Sequence, residues 1–347
     1  MSKLKIAIIC GGKSSEHEIS CVSANGILNA LDRAQFEPVL IGITKNGRWL
    51  LLPSDTNFAI INGALPVVPE SGVEINVTSQ GLFSGGKNLE IDVAFPILHG
   101  PYGEDGTIQG LLEMIGIKYV GSGVLASAVC MDKSYAKPIF ASAGLNVAPG
   151  IVVTSKDFEL PSILKLPLFV KPARSGSSRG TTKVKELSQL AAAVEHALDF
   201  DTKVIIEQAI VGKEIECAVL QADDKITVSN VGQILISDKF EFYDFQAKYL
   251  DDSMQLILPA DLPEEASRQI QQAALIAFEA AGCEGLARVD FFYSSEGKVI
   301  INEINTMPGF TPMSVYPKLI ENSGINYQLL ITKLIQTAKN RSSSITR

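Results

Sequence analysis

Four polar side chains stand on two apolar stretches near the end of the chain. Arg288 and Asp290 interrupt the first stretch, Glu303 and Asn305 interrupt the second, and residues 294–297 between them have the Ser and Gly content of a turn. Because side chains alternate along a β-strand, each pair of polar residues shares one face. The sequence therefore predicts a β-hairpin that carries two carboxylates, an amide and a guanidinium.

The chemistry of this hairpin depends on what balances its carboxylates. A loop over residues 294–297 pairs Asp290 with Ile301 and Arg288 with Glu303, which puts all the polar groups on one face. Mg²⁺ takes oxygen ligands and usually needs one or two carboxylates together with substrate phosphates. The alternative is a solvated outer face of an edge hairpin, in which Arg288 pairs with Glu303. The hairpin alone leaves both open.

The composition bounds the fold and excludes some functions. With 347 residues the chain is longer than one core usually supports, so two or three domains are expected. The net charge of −8 argues against a nucleic-acid-binding protein, and no apolar run reaches the length of a membrane span. Five scattered cysteines and three histidines, without a C-x-x-C or a zinc spacing, indicate a reduced cytoplasmic protein with buried thiols.

The N-terminal part predicts a parallel α/β unit. A strand over residues 4–10, a glycine turn, a helix over 16–31 and a strand over 38–43 follow one another. Ligands of such sheets bind at the carboxyl ends of the strands, where Glu16 lies. Taken alone, Glu16 is better explained as a first-turn acid that favours the helix dipole.

Polar residues also follow a later apolar strand. Residues 91–98 are apolar almost throughout, and His99 begins a glycine-rich polar stretch that runs into a helix near Thr107. This places His99, like Glu16, at the carboxyl end of a strand.

Two glycine-rich stretches imitate nucleotide loops without their context. Residues 81–87 resemble a Walker A loop, but Asn88 replaces Ser or Thr and a strand follows where a helix is needed. A glycine hairpin turn is predicted there instead. Residues 121–126 match a dinucleotide fingerprint weakly and predict only the start of a helix.

A third group of residues is suited to bind anions. Lys133 lies in a helix that opens at residues 130–134 and starts a new domain, and Lys171 ends a strand over 167–172. Residues 173–180 are rich in Ser, Gly and Arg, so their backbone N–H groups can form a nest for a phosphate. Lys133 alone would be taken as a surface lysine, and a mobile surface loop is the alternative for the nest.

The remaining segments predict two lobes and a lid. Strands over residues 204–210 and 215–220 are joined through 212–214, as in a hairpin or a linker between lobes. Residues 237–256 are charged and aromatic without clear periodicity, and a loop of this length inside a domain is usually a lid. A helix is predicted over 261–282.

These parts together suit phosphoryl transfer, because that chemistry depends mainly on positioning and charge neutralisation and needs no protein nucleophile. We infer a nucleotide-dependent enzyme that holds a triphosphate between two lobes. A catalytically silent nucleotide-binding or regulatory protein is a rival from another class. A dehydrogenase, suggested by residues 121–126, ranks last.

Eight motifs follow one another along the chain: GGKSSEHEIS, HGPYGEDGTIQG, MDKS, VKPARSGSSRG, IIEQAIVGKEIE, YDFQAKY, GLARVDFF and NEINTMPGFTPMS. In these motifs the chain resembles the D-alanine–D-alanine ligases of the ATP-grasp superfamily over nearly its whole length. The resemblance implies an α/β and α+β multidomain protein with an ATP-grasp fold. It would have an N-terminal α/β domain over residues 1–129, a central lobe over 130–214 and a C-terminal lobe over 215–347 with the lid at 237–256.

The resemblance implies a nucleotide and metal site. Lys133 and Lys171 would hold the ATP phosphates. Glu207 and the backbone of Ile210 would contact adenine, and Glu214 would bind the ribose hydroxyls. Two Mg²⁺ or Mn²⁺ ions would be bound by three residues of the hairpin, Asp290, Glu303 and Asn305.

The resemblance also implies a two-step ligation. Glu16 would bind the ammonium group of a first D-alanine, with His99 nearby. The carboxylate of this D-alanine would attack the γ-phosphorus of ATP, and the amine of a second D-alanine would attack the acyl phosphate. Arg288 and the Gly309 N–H would stabilise the oxyanion. The product would serve peptidoglycan precursor synthesis in the cytoplasm, and the family implies a homodimer through the N-terminal domain.

The second substrate is the point on which sister ligases differ. Lys248 and Ser314 would bind its carboxylate, while Ser177 and Tyr249 would link the lid to Glu16 through hydrogen bonds. The Lys248–Tyr249 pair resembles the dipeptide-forming type, and Val315 stands where D-serine-selective relatives carry a basic residue. The alternative product is D-alanyl-D-serine or D-alanyl-D-lactate.

Overall fold

The computed structural model describes residues 2–236 and 254–341. The predicted lid over 237–256 lies outside these residues except for its last three positions, and Lys248 and Tyr249 lie outside them as well. The described chain forms three β-sheets with α-helices packed against them. None of the helices in these two ranges combines the length and the hydropathy that a bilayer crossing requires.

The first sheet has a parallel centre. Its strands are β1 (Leu4–Gly11), β2 (Phe36–Ile43), β3 (Trp49–Leu52), β4 (Val73–Thr78), β5 (Gly81–Ser84), β6 (Lys87–Asn88), β7 (Val93–Pro96) and β8 (Lys118–Tyr119). Their order is β6-β5-β4-β3-β2-β1-β7-β8. Because β1 is parallel to β2 and to β7, the chain leaves both β1 and β7 at the same edge, where Glu16 and His99 follow.

Three helices accompany this sheet: α1 (His17–Ala30), α2 (Thr107–Met114) and α3 (Val124–Met131). The predicted strands and the first predicted helix are confirmed, and residues 81–87 form the hairpin of β5 and β6, with Gly85 and Gly86 at positive φ. The helix predicted to open within residues 130–134 is confirmed, and its start is now defined. Cys130 and Met131 complete α3, and the next helix begins at Lys133, after Asp132 has accepted a cap hydrogen bond from the Ser134 N–H.

The second sheet is smaller and antiparallel. Its strands are β9 (Gly150–Val153), β10 (Leu168–Pro172), β11 (Thr182–Val184) and β12 (Val204–Gln208), in the order β11-β10-β12-β9. Two helices precede and follow β10: α4 (Lys133–Ser142) and α5 (Leu190–Leu198). The apolar side of α5 packs on this sheet and buries Val194 and Ala197 against Val170 and Val204.

The third sheet carries the hairpin. Its strands are β13 (Gly212–Ala222), β14 (Lys225–Val228), β15 (Gly232–Ile236), β16 (Met254–Ile257), β17 (Leu286–Ser294) and β18 (Val299–Asn305). The order is β16-β15-β13-β17-β18, and β14 pairs with β13. Helix α6 (Glu264–Ala280) covers one face, while α7 (Val315–Asn322) and α8 (Tyr327–Asn340) cover the other.

One apolar core joins the first and third sheets. Residues of α7 and α8, such as Tyr316 and Leu330, share this core with Ile6 and Phe95 of the first sheet and with Leu286 of β17. The strand ends of the first sheet are therefore held next to the hairpin by buried apolar contacts rather than by a linker.

The register of the hairpin differs from the predicted one. Asp290 lies opposite Glu303 and Arg288 opposite Asn305, so the predicted pairing with Ile301 is wrong. The loop is one residue shorter than predicted and comprises residues 295–297, because the Ser294 N–H bonds to the Lys298 carbonyl. A β-bulge between Asp290 and Phe291 adds a second residue to the shift. A shift of two residues preserves the face, so the prediction that all four polar groups share one face is confirmed.

Candidate active site

An inter-sheet cleft lies between the second and third sheets. It is bounded by Lys171 at the end of β10, by the loop 175–181, by Glu207 on β12 and by the polar face of β17 and β18. Lys133, the first residue of α4, also lines it. Lys133 begins α4, Lys171 lies near the end of β10 and Glu207 lies near the end of β12, so three different elements bring these charged groups to the cleft.

Glu207 is buried at this cleft between two lysines. Its carboxylate pairs with Lys171, and with Lys137 at 2.7 Å. Burial alone would raise the pKa of Glu207, but the charges and hydrogen bonds of Lys137 and Lys171 outweigh it and hold the pKa at about 2. Glu207 is therefore ionised at any physiological pH.

The two lysines that line the cleft differ in their electrostatics. Burial lowers the pKa of Lys171, helped by repulsion from Lys137 and Lys133 and only partly offset by Glu207. Burial also opposes the charge of Lys133, but the ion pair with Glu303 at 3.0 Å outweighs it and raises the pKa. An anion in the cleft would favour the charged form of Lys171.

The two carboxylates proposed as metal ligands, Asp290 and Glu303, each form an ion pair with a cationic side chain of the protein. Asp290 accepts from Arg288 Nη2 at 2.7 Å and from Asn305 Nδ2 at 3.0 Å, and Glu303 pairs with Lys133. Arg288 also pairs with Glu216 of β13 at 2.9 Å. Among the described residues, no group of three or more His, Cys, Asp or Glu is arranged to hold a metal ion.

A second, adjacent cavity of about 600 Å³ opens beside the cleft. It is lined by residues of the segments that follow β1, β7 and β18 and by one residue of β17: Glu16, His99, Glu104, Gly309, Ser314 and Arg288. Gly176, Ser177 and Glu303 line both the cleft and the cavity. The two spaces therefore share a wall.

The loop over residues 175–181 is hydrogen-bonded to Glu16 at this shared wall. Ser177 Oγ donates a hydrogen bond to Glu16 Oε1 at 2.7 Å. Ser177 and Ser178 have φ values of 51° and 56°, a region that is costly for residues other than glycine. The structure therefore brings the predicted pair Ser177 and Glu16 into direct contact and holds the loop in a strained conformation.

His99 faces protein atoms with both ring nitrogens. Nδ1 lies 3.0 Å from the Met307 carbonyl and Nε2 lies 3.2 Å from Ser23 Oγ. Burial lowers the pKa of His99, so the ring is neutral at pH 7. Nδ1–H then donates to the carbonyl, and Nε2 accepts from the serine hydroxyl.

Glu104 is a further carboxylate of the cavity. It accepts from the Gly100 N–H at 2.8 Å and from the Met307 N–H at 3.3 Å. Burial, together with the charge of Glu16, raises its pKa to about 8. Glu104 and His99 therefore hold the backbone of Met307 from both sides, just before Gly309.

Comparisons with known proteins agree with this architecture. The N-terminal residues 5–122 match the family model "D-ala D-ala ligase N-terminus", and residues 139–336 match "D-ala D-ala ligase C-terminus". A D-alanine--D-alanine ligase of Mycolicibacterium smegmatis is 47% identical over 99% of this chain and 97% of its own length. One from Paenarthrobacter aurescens is 46% identical over 98% and 96%.

The chain belongs to the D-alanine–D-alanine ligase family. Solved structures of the family share its fold. The D-alanine-D-alanine ligase from Coxiella burnetii matches with a TM-score of 0.83 and 34% identity over 98% of this chain and 96% of its own. VanG D-Ala:D-Ser ligase from Enterococcus faecalis matches with a TM-score of 0.84 and 36% identity over 97% and 100%. The fold is thus the ATP-grasp fold, and the protein is a ligase of this family.

Most residues that the family resemblance singled out meet at the two spaces. Five of them line the inter-sheet cleft with Asp290 and Glu303, namely Lys133, Lys171, Glu207, Ile210 and Glu214. The described residues predicted for the amino acids line the adjacent cavity, and so does Asn305, which was predicted as a metal ligand. Lys248 and Tyr249 lie outside the described residues, and the individual roles stay predictions.

Sequence reasoning missed three polar residues of the site. Lys137 had a signal, because it stands four residues after Lys133 on the same side of a helix. Glu104 lies inside one of the family motifs but was not singled out. Asn302, whose Oδ1 accepts from Lys171 at 3.3 Å, reaches the cleft only through the bulge, which no sequence signal announced.

Proposed function

We propose that the protein joins two molecules of D-alanine and converts ATP to ADP and phosphate in the process, as its family name suggests. The observation that supports this most directly is the shared wall of the two spaces at Gly176, Ser177 and Glu303. A phosphoryl group held in the inter-sheet cleft would meet a carboxylate held in the adjacent cavity at this wall. Reactions of this type depend on such positioning.

The nucleotide would occupy the inter-sheet cleft. Lys133 and Lys171 would bind its phosphates, with the backbone of the loop over residues 175–181 around them. Glu207 and the backbone of Ile210 would contact adenine, and Glu214 would bind the ribose. The depressed pKa of buried Lys171 supports this placement, because a phosphate would supply the negative charge that Glu207 only partly provides.

The hairpin residues fit Mg²⁺ or Mn²⁺. The donors that Asp290, Glu303 and Asn305 offer are oxygens, and two carboxylates with substrate phosphates are the usual set for Mg²⁺. Each carboxylate now has a cationic partner, so Arg288 and Lys133 would release part of their contacts. When bound, the cations would neutralise charge on the transferring phosphoryl group.

The chain's own residues would orient the reactants in the adjacent cavity. Glu16 would take the ammonium group of the first D-alanine, whose carboxylate oxygen attacks the γ-phosphorus while ADP leaves. The second D-alanine, bound by Ser314 and Lys248, attacks the acyl carbon through its amine, and phosphate leaves. Arg288 and the Gly309 N–H would stabilise the oxygen that becomes negative in this step.

Further expectations concern the remaining residues and the whole protein. Ser177 and Tyr249 would couple the lid to Glu16, and His99 would lie beside the first substrate. A division into an N-terminal domain and two lobes at about residues 130 and 215, a homodimer and a location in the cytoplasm complete the proposal. Exclusion of water by the lid would protect the acyl phosphate from hydrolysis.

The test is mass spectrometry of the product formed from ATP, Mg²⁺ and D-alanine. We expect D-alanyl-D-alanine and equimolar ADP. Parallel reactions with D-alanine plus D-serine or D-lactate distinguish the sister activities, one of which is named for the similar Enterococcus structure. A mixed product in preference to D-alanyl-D-alanine would replace the proposed substrate, and absence of ADP would reject ligation.

A further inference from the structure

Phe310, which directly follows Gly309, is held by protein atoms on both of its backbone groups. Tyr327 Oη donates to the Phe310 carbonyl at 2.6 Å, and the Phe310 N–H donates to Ser23 Oγ at 3.4 Å. The Phe310 side chain is fully buried. The backbone next to the proposed oxyanion donor is thus fixed from α8 on one side and from α1 on the other.

Two tyrosine rings pack against Phe310, but only one of the two tyrosine hydroxyls is hydrogen-bonded to its backbone. The Phe310 ring centroid lies 5.6 Å from that of Phe95, 5.9 Å from Tyr316 and 5.7 Å from Tyr327. Both tyrosines therefore pack on the same ring. Only the Tyr327 hydroxyl bonds to the loop, because Tyr316 Oη donates to the Val219 carbonyl of β13 at 3.1 Å.

Helix α1 has a glycine, Gly26, at the point where the Tyr327 hydroxyl approaches it. A Cβ at Gly26 would lie 2.9 Å from Tyr327 Oη and 3.0 Å from Pro312 Cδ. Glycine within a helix is unfavourable relative to alanine, so its presence needs a local reason. The close approach of Tyr327 and Pro312 to α1 supplies that reason.

We propose that Tyr327 is a positioning residue for the second chemical step of the ligation. Its hydroxyl holds the loop over residues 308–314, and thereby keeps the Gly309 N–H directed at the carbonyl oxygen that becomes negative. The inference rests on the proposed function. Tyr327 lines the adjacent cavity but not the inter-sheet cleft, so phosphoryl transfer should not depend on it. A donor that is slightly displaced stabilises an oxyanion much less well.

The test compares Tyr327→Phe with the matched control Tyr316→Phe in single-turnover rapid-quench reactions of the full chain with ATP, Mg²⁺ and D-alanine. ADP reports the first step, and D-alanyl-D-alanine reports the second. For Tyr327→Phe we expect ADP at the wild-type rate and dipeptide formation slower by about tenfold. Tyr316→Phe should leave both rates unchanged, although it removes a more deeply buried hydroxyl.

A second variant keeps the inference testable if Tyr327→Phe is poorly folded. Gly26→Ala keeps the Tyr327 hydroxyl but displaces it, and should also slow dipeptide formation without slowing ADP formation. Equal slowing of both steps, or equal slowing by Tyr316→Phe, would overturn the positioning role and leave the ligation intact. A wild-type protein that forms ADP but no dipeptide would overturn the proposed function and this inference with it.

Discussion

Glu207 carries the negative charge on which two buried lysines depend. Glu207→Gln would leave Lys137 and Lys171 buried without their counter-charge, so we expect the free energy of unfolding to fall by about 3–5 kcal/mol. Urea unfolding without nucleotide measures this. Glu195→Gln is the control, because it breaks an exposed ion pair with Lys156 and should produce no measurable change. A similar loss in both variants would contradict the argument.

The same ion pairs predict a pH dependence. The folded protein holds the pKa of Glu207 at about 2, below its ordinary value of 4.5, so the folded state favours the ionised form. The resulting stability is fully present above about pH 4.5 and is lost as the pH falls from there towards 2. The difference in unfolding free energy between wild type and Glu207→Gln should therefore shrink over this range. If this difference in unfolding free energy stayed constant down to pH 3, the depressed pKa of Glu207 would be rejected.

A substitution of Arg288 should affect the rate of ligation but not the affinity for ATP. Arg288→Ala should leave ATP binding nearly intact and slow dipeptide formation by at least about 10²–10³-fold, because it removes the proposed oxyanion donor. The variant also frees Asp290 from its guanidinium partner, so ATP–Mg²⁺ affinity should not fall. Isothermal titration with a non-hydrolysable ATP analogue and a dipeptide assay make the two measurements. Unchanged turnover would refute the assignment.

At the scale of single elements, two glycines should respond in opposite directions to alanine. A Cβ at Gly212 would lie 2.2 Å from the Tyr293 carbonyl oxygen across the β13–β17 pair, so Gly212→Ala should cost about 1–3 kcal/mol. A Cβ at Gly110, inside α2, meets no atom within 4 Å. Gly110→Ala should therefore stabilise the protein by up to about 1 kcal/mol. Thermal unfolding of both variants without nucleotide tests the pair, and two changes of the same sign would contradict it.

The hairpin shows how far sequence reasoning reaches. Alternation fixed which face Arg288, Asp290, Glu303 and Asn305 share, because a shift by an even number of residues cannot change it. The register itself was wrong, since neither the three-residue loop at 295–297 nor the bulge leaves a clear mark on composition. Periodicity therefore predicted the composition of the polar face, while backbone irregularities decided which side chains are neighbours.

The site residues also divide into those that local sequence patterns predict and those that only the packing of the chain reveals. Glu16, Ser177 and the cleft lysines were found because they belong to the recognised motifs, and the structure brings them together. The hydrogen bonds from His99 to Met307 and from Tyr327 to Phe310 span 208 and 17 residues, and no local pattern encodes either. Contacts of this kind depend on how the first and third sheets pack.

At the scale of the molecule, Arg341 at the end of α8 ties two sheets together. Its Nη1 donates to the Gly121 carbonyl at 2.9 Å, its Nη2 pairs with Glu284 beside β17, and its guanidinium lies 4.7 Å from the ring centroid of Tyr119 on β8. The side chain is only 14% exposed. These contacts link the edge of the first sheet to the third.

Arg341→Ala should therefore lower the free energy of unfolding by about 1–3 kcal/mol through the lost charged hydrogen bonds. Arg341→Lys retains the charge but not the forked geometry, and should recover only part of the loss. Urea unfolding of the two variants measures the effect. Full stability in Arg341→Ala would show that the apolar core alone holds the two sheets together.

The hydrogen bond from Ser177 to Glu16 has a consequence for the affinities of the two proposed ligands. Ser177 belongs to the loop proposed to surround the nucleotide, and Glu16 is the carboxylate proposed to bind the first amino acid. Because the two are hydrogen-bonded, ordering either one changes the free energy of ordering the other. By thermodynamic linkage, any factor by which nucleotide tightens capture of the first amino acid must equal the factor by which that amino acid tightens capture of nucleotide. The Ser177 hydroxyl would thus couple the two proposed binding events, and removing it in Ser177→Ala should weaken both effects by the same factor.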